Sequence, residues 1–163
     1  MLQLIDLVLN IKQMKNSFNV NDTAEFISRI DKLTPTTKPI WGKMDVAKMI
    51  AHCNVTYELE YENIHPKPNG FVKLMLILFV KNSIVGQKPY KKNGQTGSQF
   101  LIKDSRDFET EKKRLVDYLN KTQQLGETYF DGKESHSFGV LIAQEWSTMF
   151  SKHLDHHLKQ FGV

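Results

Sequence analysis

Cysteine is almost absent from this chain, and its scarcity excludes a disulfide-stabilised fold. Cys53 is the single cysteine in 163 residues, so no internal disulfide can form, and disulfide frameworks belong mainly to secreted proteins. The chain also lacks the run of about 20 apolar residues that a membrane-spanning helix needs. Its strongest apolar run, residues 71–80 (FVKLMLILFV), is half as long and contains Lys73. We therefore predict a cytoplasmic protein with no membrane partner, and a buried helix at residues 71–80.

The first thirteen residues (MLQLIDLVLNIKQ) are partly apolar but do not have the features of a signal peptide. Asp6 interrupts the apolar stretch, and no small-residue cleavage site follows it. We interpret residues 1–13 as an N-terminal extension, which is either an added helix or the result of an upstream translation start. Deleting them is expected to leave the fold intact.

Neither internal repeats nor low-complexity segments divide the sequence, which suits a single domain over residues 1–163. The patterns predict five helices, at about residues 22–32, 45–61, 71–83, 108–124 and 143–160. Asp22 and Glu25 resemble a capping box that opens the first helix, and Gly126 closes the fourth. Residues 85–107 are predicted to form a long ordered loop over a cleft. The predicted fold class is all-α, most simply a four-helix bundle with additions.

Apolar residues at helical spacing define the predicted core of this bundle. They are Trp41, Met49, Ile50, Leu74, Leu76, Leu115, Leu119, Trp146 and Phe150. The net charge of +4, with a pI near 9.1, would suit a nucleic-acid partner. However, acidic residues are interspersed along the chain and no nucleic-acid-binding motif is present. We therefore expect a solvated, lysine-bearing surface and no nucleic-acid partner.

Three of the six histidines lie in the last eleven residues, and the spacing of two of them indicates metal chemistry. His153 and His157 are four residues apart on a predicted helix, so both imidazoles share the face that carries Trp146 and Phe150. Burying two imidazoles without partners would be costly, which favours a shared ligand or a hydrogen-bond network over simple solvent exposure. His156 turns towards the rim of that face and is not assigned as a ligand.

His52, on the second predicted helix, is the third candidate ligand, although its position alone equally suits a core-edge histidine bonded to a neighbour. Imidazoles suit zinc, nickel, copper and iron, and three protein ligands with an open position are typical of a catalytic site. His65, before Pro66, is expected to be exposed, whereas His136 could face the same site. Cys53 lies on the apolar side of its helix, so we expect a buried, unreactive thiol.

Three segments of the chain resemble a DinB-like protein, in the branch described only as a domain of unknown function. They are WGKMDVAKMIAHC at residues 41–53, KPYKKN at residues 88–93, and the last helix from Glu145 to Gly162. The resemblance covers about residues 14–163. It implies a four-helix bundle whose metal ion is bound by His52, His153 and His157. The chain departs from that pattern at Lys159, where glycine is common, and at Ile142, where Thr or Ser usually precedes the last helix.

Characterised DinB-like proteins include thiol S-transferases that use bacillithiol or mycothiol, and a metal-dependent isomerase that acts on a thiol adduct. The resemblance therefore implies a transferase that joins a low-molecular-weight thiol to an electrophilic substrate, with a divalent zinc, nickel or iron ion as cofactor. The alternative is a non-catalytic metal-binding or stress-associated helical-bundle protein. Either protein could form a homodimer, but no individual residue indicates one.

Overall fold

The computed structural model describes residues 14–163, so the proposed extension at residues 1–13 lies outside the described part of the chain. The described residues form six α-helices: α1 (Val20–Asp31), α2 (Val46–Tyr61), α3 (Gly70–Phe79), α4 (Lys81–Val85), α5 (Phe108–Phe130) and α6 (Ala143–Gln160). A 3-10 turn, Ser98–Phe100, and two strands, β1 (Lys133–Ser135) and β2 (Gly139–Leu141), complete the described elements. Helical residues make up 58% of the structure, so the predicted predominance of helix is confirmed.

Helix α1 begins before the position that the Asp22 and Glu25 pattern predicts. Asn19 is its N-cap, because the Asn19 side chain accepts hydrogen bonds from the backbone N–H groups of Asn21 and Asp22. Asp22 instead lies in the first turn and accepts a hydrogen bond from the backbone N–H of Asn16. Asn and Asp are comparable N-cap residues, so the sequence pattern could not tell which of the two would begin the helix.

Gly126 interrupts helix α5 but does not end it. Its backbone lies at φ 68° and ψ 179°, outside the helical region, and the helix then continues to Phe130. The predicted end at about Gln124 was therefore wrong. Glycine adopts positive φ without a side-chain clash, so a single residue can bend the chain here before the helix resumes.

Helix α6 begins at Ala143, as predicted, although Ile142 has no side-chain acceptor with which to cap it. Asp131 replaces the missing cap, because its carboxylate accepts a hydrogen bond from the backbone N–H of Ala143 at 3.0 Å. Glu145 accepts a second one from the backbone N–H of Ile142 at 3.1 Å. Two free N–H groups at this helix end are thus satisfied by carboxylates, which also suit the positive end of the helix dipole.

The core lies between α2, α5 and α6, with α1 packed on α5 and α6. Six of the predicted core residues are buried there: Met49, Ile50, Leu115, Leu119, Trp146 and Phe150. Trp41 and Leu76 are only partly buried, and Leu74 is exposed. The prediction of the core is therefore confirmed for residues on α2, α5 and α6 and wrong for Leu74 on α3.

Helix α3 is not the buried helix that its apolar sequence predicts. None of its ten described residues is buried, and Phe71 and Phe79 are 72% and 71% exposed. Within residues 14–163, the helix meets the rest of the chain along one face, where Ile77 approaches Gly139 and Lys73 pairs with Glu134. An apolar run predicts that a helix forms, but it does not say how many of its faces will be covered. Among the described residues, no helix is long and apolar enough to cross a membrane.

The short antiparallel hairpin of β1 and β2 is absent from the sequence prediction. Lys133 pairs with Leu141 and Ser135 with Gly139, so each strand has only three residues. Strands this short give no alternating pattern that a sequence reading could detect. The hairpin nevertheless matters to the site, since its turn lies beside α3 and contributes to the main cavity.

Candidate metal centre

Helices α2 and α6 bring the three predicted ligands together. His52 comes from α2, and His153 and His157 come from successive turns of α6. One ring nitrogen from each histidine lies within 4.8 Å of the others, and the Nε2 atoms of His52 and His153 are 3.0 Å apart. His52 and His157 are buried, and His153 is partly buried. The three imidazoles could therefore hold one metal ion.

Hydrogen bonds on the Nδ1 side fix two of the imidazole rings. His52 Nδ1 lies 2.8 Å from the carbonyl oxygen of Phe100, which can only accept, so Nδ1 carries the proton and Nε2 keeps a free lone pair. His157 Nδ1 likewise lies 2.8 Å from Gln160 Oε1. The Gln160 amide nitrogen donates to the Trp41 carbonyl, which fixes Oε1 as the acceptor. Both neutral rings thus present Nε2 lone pairs, as metal ligands do.

The third ring has two hydrogen-bonding arrangements. His153 Nδ1 lies 2.9 Å from the hydroxyl of Thr56. If Nδ1 donates to Thr56, His153 Nε2 is also a free lone pair and all three rings can bind an ion. If the hydroxyl donates instead, His153 Nε2 carries a proton that it can donate to His52 Nε2. The orientation of the Thr56 hydroxyl therefore decides whether the three histidines can bind a metal ion or His153 and His52 form a hydrogen-bonded pair.

Burial keeps the three imidazoles neutral. Removal from water lowers the pKa of His157 to about 3 and the pKa of His153 well below its usual value. The pKa of His52 is lowered for the same reason, and its hydrogen bond to Phe100 opposes that effect in part. Because the neutral imidazole is the form that binds a metal, the site is ready for an ion at neutral pH without releasing protons.

A cavity of about 680 Å³ opens beside the three histidines. The predicted loop supplies one wall, with side chains that include Tyr90, Asn93, Gln95, Thr96, Gln99 and Phe100. Leu76 and Val80 line it from the inner face of α3 and its end, and residues 135–138 line it from the hairpin. The loop at residues 85–107 therefore lies over a cleft, as predicted.

Lys152, on α6, anchors the beginning of this loop through hydrogen bonds. Its side chain is almost fully buried, and its ammonium group donates to the carbonyl oxygens of Ser83 at 2.8 Å and Gly86 at 2.5 Å. The same group lies over the ring of Tyr90 at 4.6 Å. Burial lowers the pKa of Lys152 to about 8. The residue next to His153 thus holds the wall of the cavity in place.

The remaining histidines occupy different places around the cavity. His156 is half-buried on the rim, as predicted, against the rings of Trp41 and Tyr90, and lies outside the group of three converging histidines. His136 lines the same cavity as the triad, so it faces the site. The prediction that His65 is exposed was wrong. Its side chain is only 17% exposed, and Glu58 accepts a hydrogen bond from it at 2.8 Å.

Cys53 is fully buried, and burial raises the pKa of its thiol, as expected for an unreactive cysteine. The groups that orient the histidines were not among the predicted site residues. Gln160 lies three residues beyond His157 on the same helix, so helical spacing could have found it. Thr56 lies one turn beyond His52, but its partner is His153 on α6, so spacing could have placed Thr56 beside the site without identifying that contact. No sequence pattern could have predicted the role of the Phe100 carbonyl, because every residue has a backbone carbonyl.

The chain matches a known protein family. The family described as "Protein of unknown function (DUF1569)" matches residues 12–162, nearly the whole chain. No curated protein and no solved structure matches the chain. The matched range contains all three histidines of the candidate centre, together with Thr56 and Gln160. The chain therefore belongs to the DUF1569 family of proteins of unknown function.

Proposed function

We propose that His52, His153 and His157 bind one divalent metal ion and that the protein is a metal-dependent transferase. The observation that carries this proposal is the convergence of three neutral imidazoles beside a cavity of about 680 Å³. Cavities of about 300–1,000 Å³ are the usual size for small-molecule sites. The proposed reaction joins a low-molecular-weight thiol to an electrophilic substrate, which is the chemistry that the DinB-like resemblance implies.

The donor set fits zinc, nickel or iron, because imidazole nitrogen is a ligand that these ions accept. Three protein ligands leave a coordination position for a small molecule. When bound, such an ion would favour the thiolate form of a thiol near neutral pH, and the thiolate is the nucleophile. Phe100 and Gln160 would hold the His52 and His157 rings, and Thr56 would hold His153, so that the ring nitrogens stay aimed at one point.

In the proposed transfer, a bond forms between the thiol sulfur and an electrophilic carbon of the second substrate. The thiol proton passes to solvent, and the leaving group departs with the bonding electron pair. The cavity would hold the second substrate between the loop wall and the apolar inner face of α3, where Leu76 and Val80 lie. Cys53 takes no part, since its thiol is buried and its pKa is raised.

The DinB-like four-helix arrangement is part of the same proposal, with α1, α2, α5 and α6 as its four helices. The packing of α5 against α1, α2 and α6, and of α6 against α1 and α2, supports it. In this arrangement, one ligand comes from the second helix of the bundle and two come from the last. That is the distribution the resemblance implies.

Metal analysis tests the site itself. Protein purified without chelators and reconstituted with zinc, nickel or ferrous iron is expected to hold close to one ion per chain. His52→Ala, His153→Ala and His157→Ala should each weaken binding strongly, because each removes one of three ligands. His156→Ala and His65→Ala are matched controls that should bind as the wild type does. No bound metal in the wild type, or equal loss in His156→Ala, would contradict the assignment.

A thiol screen tests the reaction. Several low-molecular-weight thiols, each with an aryl chloride electrophile, are assayed for thioether formation with and without the reconstituted metal. Product formation that requires metal and disappears in His153→Ala supports the transferase. If the metal binds but the wild type forms product no faster than His153→Ala with every thiol, the result favours the alternative, a non-catalytic metal-binding or stress-associated protein.

A further inference from the structure

The outer face of α3 is a continuous apolar surface. Six of its side chains are exposed: Phe71, Val72, Leu74, Met75, Leu78 and Phe79. At about 100° per residue these six fall within one arc of roughly 160°. The remaining arc faces inward, with Leu76 on the cavity and Ile77 against the hairpin at Gly139. The helix is thus apolar on both sides, and the described residues of the chain cover one of them.

The size of this surface reaches that of the largest apolar patches that monomers expose. A buried aromatic side chain covers about 150–250 Å², so Phe71 and Phe79, each about seven-tenths exposed, offer on the order of 300 Å² between them. The four aliphatic and methionine side chains between them enlarge it further. The largest apolar patch on a typical monomer is about 300–600 Å² and often functional. A stable interface takes about 800 Å² from each partner, polar rim included, so the α3 face would form the apolar centre of such an interface.

The charges at the edge of the surface argue for a protein partner. A helix that lies on a membrane usually carries free Lys and Arg beside its apolar face. Here Lys73 pairs with Glu134 at 2.6 Å and Lys81 pairs with Glu145 at 3.0 Å. These two lysines are therefore already neutralised by carboxylates of the same chain. A charge-depleted centre rimmed by satisfied polar groups is typical of protein interfaces.

We propose that the outer face of α3 is a homodimer interface, in which the α3 helices of two copies pack antiparallel across a two-fold axis. A two-fold interface uses the same patch on both subunits, and the exposed arc of α3 can cover an identical arc because both consist of apolar side chains. Met75 lies near the middle of both the helix and the arc, so it would lie near the axis. The partner copy would thereby support the helix that walls the cavity, through Leu76 and Val80.

The oligomeric state tests this interface. Wild-type protein at tens of micromolar is expected to have about twice the 18.9 kDa mass of one chain by light scattering after size exclusion. Leu78→Glu places two carboxylates in the interface and should give a monomer with an unchanged circular dichroism spectrum, because the side chain is exposed in one chain. Val20→Glu, at an equally exposed position on α1, is the matched control and should remain dimeric.

A crosslink tests the two-fold geometry. The native thiol is buried, so a cysteine introduced at the surface is the accessible one. Met75→Cys is expected to form an intermolecular disulfide on mild oxidation, and Val20→Cys is expected to stay monomeric on a non-reducing gel. A monomeric wild type, or a dimer that persists in Leu78→Glu, would overturn the proposal. Co-sedimentation of a monomeric wild type with anionic phospholipid vesicles would overturn it in favour of a membrane surface.

Discussion

At the residue scale, the hydroxyl of Thr56 controls what His153 can do, and its removal is a clean test. Thr56→Val keeps the shape of the side chain but deletes the partner of His153 Nδ1. Loss of such an orienting group typically lowers metal affinity about 10- to 100-fold. We therefore expect a weaker affinity of that size for Thr56→Val, measured by competition with a chromogenic chelator.

Thr122→Val is the matched control for this change. Thr122 is also buried, and its hydroxyl bonds to Tyr61 at 2.7 Å and to none of the three histidines. Each variant loses one hydrogen bond, worth about 0.5–1.5 kcal/mol of stability. Only Thr56→Val should lose metal affinity. Equal losses in the two variants would attribute the effect to general destabilisation.

The three converging histidines could be predicted to different extents from single residues. His153 and His157 could be predicted from the sequence, because a spacing of four on one helix puts two side chains on one face. His52 depended on the resemblance, since it is 101 residues from His153 in the chain and no local spacing connects them. The partial burial of His65 was missed because it depends on Glu58, a residue of another element.

At the scale of elements, the interruption of α5 makes a prediction about Gly126. A Cβ at this position would meet no atom of the described residues within 4 Å, so they leave space for a side chain. The backbone, at φ 68° and ψ 179°, lies in a region used essentially by glycine alone. Gly126→Ala should therefore destabilise the protein by about 1–3 kcal/mol, the usual cost of such a conformation, in chemical denaturation.

Gly70→Ala is the control for that experiment. A Cβ at Gly70 would also meet nothing within 4 Å, but Gly70 begins α3 and its φ is not positive. Alanine there restricts the unfolded chain and should leave stability unchanged or raise it by up to about 1 kcal/mol. Similar losses for both variants would show that backbone conformation does not explain the effect at Gly126.

Elements differ in how far the sequence could predict them. The bounds of α2 and α6 follow from a clear N-cap at Asp45 and from apolar residues at helical spacing. The exposure of α3 could not be predicted from its sequence. A helix that is apolar on all sides shows the same pattern whether one or both of its faces are covered. The strands β1 and β2 are too short to give a pattern.

At the scale of the whole molecule, the buried imidazoles make stability depend on pH when no metal is bound. The folded protein holds them neutral, with the pKa of His157 lowered to about 3. In the unfolded chain they titrate near 6.5. The unfolded state therefore binds more protons below that pH, and stability falls as pH falls. The stabilisation is fully present above about pH 6.5 and is lost progressively towards the folded pKa.

Chelator-treated protein should thus unfold at a lower temperature at pH 5 than at pH 7, as measured by circular dichroism. Above pH 5, most carboxylates remain ionised, so the histidines dominate the difference. His157→Gln should reduce the slope, since the amide does not titrate. A metal-free wild type whose melting temperature is the same at both pH values would contradict the buried, neutral assignment.

The distance along the chain between His52 and His153 has a consequence for the order of folding. Their Nε2 atoms are 3.0 Å apart although 101 residues separate them, so the three histidines come together only after α2 and α6 have packed against each other. Contacts between residues so distant form late, after local helices. An ion bound there would stabilise the native state and leave the folding nucleus unaffected. Added metal should therefore slow unfolding while the refolding rate stays the same, because the ion binds after the transition state for folding.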